Sequence, residues 1–147
     1  MSKSKKVLVG IVCVLGAALV VLGCGLFRGH FDRGQFEVKE TSRSSSTRLA
    51  MVAERSDHEA MSSYVYFVLI GDHVFSPTEL RSAYHSDHVI FAATSDCLSV
   101  RWSDPHNLTI MCDKGSIDAG HIEVQLRRAG DVVISFVNIP DKNSMAR

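Results

Sequence analysis

From about residue 47 onward, apolar residues come in short runs broken by turn-forming residues. Runs of that length and spacing predict strands rather than long helices. Residues 63–70, Ser-Tyr-Val-Tyr-Phe-Val-Leu-Ile, are apolar at alternate positions on both faces. A strand apolar on both faces is covered above and below, so this one belongs at the centre of a sheet. Further runs at 89–94, 98–102, 108–112, 122–127 and 132–139 repeat the pattern. Residues 49–53 are also apolar, but periodicity over so short a run does not separate a strand from one turn of helix.

Between these runs lies Ser76-Pro77-Thr78-Glu79-Leu80. Serine caps a helix, proline suits the first helical position, and a glutamate three residues after the cap closes a capping box. A helix through about Tyr84 places Leu80 and Tyr84 on one face; a polar loop is the alternative. The segment Arg128-Ala129-Gly130 predicts a three-residue hairpin loop with Gly130 in the left-handed position. That register opposes Leu126 to Val132, Val124 to Ile134 and Ile122 to Phe136, all on one face. The fold class is therefore mainly β: a small antiparallel sandwich or open barrel with one short helix, over residues 47–140, then a tail at 141–147.

The amino-terminal pattern differs. Residues 7–22 are uninterruptedly apolar, preceded by Lys3, Lys5 and Lys6 and followed by Gly23-Cys24. A positive region, an apolar region and a small residue make up a secretory signal. Val21-Leu22-Gly23-Cys24 resembles the lipobox of bacterial lipoproteins. That resemblance implies acylation of Cys24 and removal of residues 1–23, with Leu22 departing from the Ala or Ser more usual there. Residues 7–27 also fit an uncleaved transmembrane anchor, since about 20 apolar residues cross a bilayer. Either way the lysines face the cytoplasm and the domain lies outside it. The protein is expected to be membrane-anchored, on the periplasmic side of the inner or outer bacterial membrane. Residues 24–46 are polar and carry Gly and Ser, which suits a tether. Phe36 and Val38 alternate with polar residues there, but two apolar positions are too few to fix a strand in a core.

The chain is formally neutral, yet removing residues 1–23 leaves 13 Lys+Arg against 16 Asp+Glu. Nucleic-acid binding needs clustered cations, so a mildly acidic body argues against it. Apart from Cys13 and Cys24, the cysteines are Cys97 and Cys112. In an oxidising compartment such a pair suggests a disulfide. Two hairpin registers compete around Ser-Asp-Pro-His-Asn. Opposing Trp102 to Asn107 sets Cys97 against Cys112 but mixes apolar with polar residues on a face. Opposing Trp102 to Leu108 pairs Val100 with Ile110 but sends the cysteines to opposite faces. A bulge is one way to satisfy both.

Candidate chemistry is sparse. His85, Asp87 and His88 have side chains that bind Zn²⁺ or Cu²⁺, with His73 or His58 as further ligands; solvated loop histidines are the plain alternative. No Gly-x-Ser-x-Gly elbow or phosphate-cradling glycine loop is present. Glu54, Asp57 and Glu59 are expected in a solvated turn. The stretch 98–112 resembles small β-domain proteins of bacteria that carry one amino-terminal membrane segment, a resemblance that implies no particular activity. The expected function is a non-enzymatic binding or structural module of the envelope, with the membrane and an envelope protein as partners and no cofactor. The alternatives are a periplasmic inhibitor or immunity lipoprotein, or a small metal-dependent enzyme using His85, Asp87 and His88.

Overall fold

The computed structural model describes residues 33–57 and 63–142, with Gly16, Leu19 and Val20 of the amino-terminal segment. The expected signal or anchor, Cys24, the first part of the tether, His58, Glu59 and residues 143–147 lie outside the described residues. Contacts divide the chain into residues 1–32 and a unit of residues 33–147. Among the described residues no helix is long and apolar enough to cross a membrane.

The second unit is mainly β. Strands β1 (Gln35–Arg43), β2 (Leu49–Asp57), β3 (Ser63–Gly71), β4 (Phe91–Ala93) and β7 (Ile122–Gln125) form an antiparallel sheet in the order β1-β2-β3-β4-β7. Strands β5 (Leu98–Asp104), β6 (Asn107–Cys112), β8 (Arg128–Ala129) and β9 (Val132–Val137) form a second, in the order β5-β6-β9-β8. Among the described residues of this unit are one α-helix, α1 (Pro77–Tyr84), and a 3-10 turn at Ala119–His121.

The strand apolar on both faces, β3, is the third of five, and its two faces serve two cores. Val68 joins Val52, Phe91, Val100, Ile110 and Ile134 in the cluster between the sheets. Phe67 and Leu69 join Met51, Leu80 and Ala83 in a cluster beneath α1. The helix begins as its local chemistry demands. Ser76 Oγ accepts from the Glu79 amide at 3.3 Å, and the Glu79 carboxylate accepts from the Ser76 amide at 2.8 Å.

Three expectations are corrected. Residues 35–43, read as tether, form the nine-residue edge strand β1. Its anchor is Phe36, 5 % exposed, whose ring meets Phe67 at 6.2 Å and Tyr84 at 5.7 Å. One aromatic in the right pocket did what two apolar positions in isolation did not promise. Glu54 and Asp57, read as turn residues, belong to β2; Glu54 lies 3.5 Å from Lys39, and Asp57 lies 3.8 Å from Arg55.

The third correction concerns the hairpin at Gly130. Val132 opposes Ala129 and Val133 opposes Arg128, so the loop is the two-residue Gly130-Asp131. Strand β7 does not pair with β9 but with β4, in the other sheet. Between Cys112 and Val132 the chain visits the first sheet and returns. That crossover lets β9 run parallel to β6, with Ile110 opposite Phe136, so the second sheet is mixed rather than antiparallel. Gly130 itself has φ +60°, and a Cβ there would meet nothing within 4 Å. Gly130→Ala is therefore expected to lose about 1 kcal/mol through backbone strain alone. Gly130→Asn should lose less, as compared by urea midpoints.

The competition between hairpin registers is resolved by where β5 begins. Trp102 opposes Leu108, Val100 opposes Ile110 and Leu98 opposes Cys112, the register with the cleaner apolar face. Cys97 nevertheless forms a disulfide with Cys112, at a Cα–Cα distance of 4.8 Å. Cys97 sits in a turn just ahead of β5, so the alternation of strand side chains does not bind it.

Candidate binding groove

The turn that follows α1 borders a groove on the surface of the domain. Ser86 Oγ donates to the Ala83 carbonyl at 2.9 Å and lies 2.6 Å from His88 Nδ1. These bonds fold residues 85–88 back so that Val89 and Ile90 are buried and lead into β4. Opposite, β7 carries a bulge: Ala92 pairs with Val124 and Ala93 with Ile122, which leaves Glu123 unpaired. Bulges re-aim side chains at sheet edges. The Leu126 amide donates to the Ile90 carbonyl at 2.9 Å, and from there the chain leaves for the second sheet.

Between this turn and β7 is a cavity of about 480 Å³, lined by Tyr84, Ser86, Asp87, Val89, Ala92, Glu123, Val124 and Leu126. A second, of about 450 Å³, adjoins it through the shared residues Asp87 and Leu126 and extends past Ile70, Ile90 and Val132 to Arg48, His88 and Arg128. The floor of this groove is aliphatic and its rim is polar, the usual division in binding clefts between burial for affinity and polar groups for orientation. Leu126 is 40 % exposed at the junction. Tyr84 is held by the aromatic cluster, its ring 5.0 Å from Phe67 and 5.8 Å from the Arg55 guanidinium.

The expected metal ligands are not brought together. Among the described residues no three His, Cys, Asp or Glu side chains are placed to hold a metal ion. His85 closes the helix edge-on to Tyr84 at 5.3 Å, His88 faces Ser86, and Asp87 faces the groove. A short turn spreads its side chains outward, so closeness in sequence did not become convergence.

A different histidine is structured. His73 lies between two carboxylates, Nδ1 2.6 Å from Asp72 and Nε2 3.0 Å from Glu79. Hydrogen bonds to Asp72 and then Glu79 raise its pKa above 6.5. Glu79 is lowered to about 2, first by the Ser76 amide, then by the Ser76 hydroxyl and His73. The signs oppose. The raised His73 stabilises below pH 6.5 and loses that contribution as pH rises through its folded value. The lowered Glu79 stabilises above about pH 4.5 and loses its contribution as pH falls toward 2. The helix start is thus best supported between about pH 4.5 and 6.5. Imidazole shifts followed by NMR should titrate above 6.5, and Glu79→Gln should move the midpoint down.

On the opposite edge, the Trp102 indole N–H donates to the Ser42 carbonyl at 3.0 Å, and the Val100 amide donates to Glu40 Oε1 at 3.4 Å. These bonds tie the β1 and β5 edges of the two sheets together. Trp102 is a seam residue there.

The groove residues that sequence reasoning missed are Tyr84, Glu123 and Leu126. Leu126 was read as an inward hairpin residue, and only the departure of β7 to the other sheet exposes it. Nothing in the local sequence signals this. No family model, curated protein or solved structure matches the chain.

Proposed function

We propose that the chain is a membrane-anchored, extracytoplasmic binding module of the bacterial envelope, using the groove between the α1–β4 turn and β7. The observation that carries this is the groove: an aliphatic floor with a polar rim at the meeting of the two sheets. Apolar surface beside polar groups is the combination that binding clefts use, burial for affinity and polar contacts for orientation. The Cys97–Cys112 disulfide supports the placement, because such bonds persist in oxidising compartments. The apolar amino-terminal run and its Gly23-Cys24 ending support the anchor.

Mass spectrometry of the mature amino terminus from cells tests the anchor. An acylated Cys24 or an intact apolar segment fits. A chain cleaved to a free, unacylated terminus contradicts it. A reporter fused at Arg147 that is active only in the cytosol would contradict the placement.

A further inference from the structure

We infer that the first cavity of the groove, rather than the second with its Arg48, His88 and Arg128, takes a cationic apolar peptide segment, one or two aliphatic side chains flanked by Lys or Arg. This rests on the binding-module function proposed above and names its ligand class. The first cavity has Val89, Ala92, Val124 and Leu126 as apolar surface and two carboxylates, Asp87 and Glu123, on its rim. No Lys, Arg or His lines it.

Several acidic groups elsewhere in the domain are matched. Asp131 meets Arg48 at 2.8 Å and His106 at 3.0 Å; Asp72 and Glu79 share His73; Glu54 meets Lys39. Among the described residues Asp87 and Glu123 have no ion-pair partner. Lys142 Nζ is bonded to the Glu123 backbone carbonyl rather than to its carboxylate. Two carboxylates beside an aliphatic floor attract a cation and repel an anion, while the floor rewards apolar side chains. Charge complementarity therefore selects a basic, apolar segment over an acidic one. A cavity of about 480 Å³ suits side chains rather than a whole folded face.

The test uses the full chain in phosphatidylcholine nanodiscs, with methyl NMR signals of Val124 and Leu126 as readout and empty nanodiscs as the blank. Three acetylated, amidated peptides are titrated: Lys-Leu-Leu-Lys, Ser-Leu-Leu-Ser and Glu-Leu-Leu-Glu. The lysine peptide should bind about tenfold more tightly than the serine peptide, the glutamate peptide weakest. Asp87→Asn with Glu123→Gln should erase the difference, and added salt should shrink it. Equal affinities, or no shift at Val124 and Leu126 with any peptide, overturn the inference. The anchor and placement are read separately, from the mature terminus and the reporter, so they stand or fall apart from this result.

Discussion

Truncating Phe67 to alanine is expected to destabilise the domain by about 3–5 kcal/mol, the range for removing an aromatic from a close-packed core. Phe67 is fully buried on β3, the central strand of the larger sheet. Its ring lies 6.2 Å from Phe36, the buried anchor of β1, and 5.0 Å from Tyr84 at the end of α1. Removing it opens a cavity where strand, edge strand and helix meet, and the three cannot all collapse into it. A domain this size has roughly 5–15 kcal/mol in hand, so the loss is a large share. Urea unfolding followed by fluorescence of Trp102, the single tryptophan, measures it. Phe67→Leu should lose clearly less. A midpoint for Phe67→Ala close to that of the unaltered protein would mean that this core is not packed as described.

Replacing Cys97 and Cys112 together by serine is expected to cost about 3 kcal/mol, because the bridge closes a loop across a sequence separation of 15 and restricts the unfolded chain. The bond sits where it also matters to the fold. Cys112 is buried at the end of β6, and the Asp113 amide donates to the Cys97 carbonyl at 3.0 Å, so the disulfide fastens the open end of the β5–β6 hairpin. Reductant should lower the urea midpoint of the unaltered protein to near that of the double variant and leave the variant unmoved. If reductant lowers the variant equally, the effect does not come from this bond.

Legibility followed the range of the interactions. The helix at Pro77 could be read because Ser76, Pro77 and Glu79 act within one turn. The central position of β3 could be read because both of its faces are apolar. The edge strand β1 could not, since Phe36 finds Phe67 and Tyr84 only when distant segments meet. The hairpin at Gly130 was half legible. Its positive φ is local, but the loop length depends on β7 leaving for another sheet. The Asp87 and Glu123 rim was not legible at all, because a bulge in β7 aims one carboxylate and the turn after α1 aims the other.

By itself the sequence determined a strand-rich domain behind an apolar, lysine-led segment, the capping signals of one helix and a turn at Gly130, and it narrowed the β5–β6 hairpin to two registers. Each depends on neighbours a few residues apart or on a face of one element. Only the tertiary structure decided which strands share a sheet, that β6 and β9 run parallel, how Cys97 reaches Cys112, and that Leu126 and two carboxylates frame a groove. Those features are set by burial summed over the whole domain. A run of residues states which face is apolar, but the other elements supply what covers it.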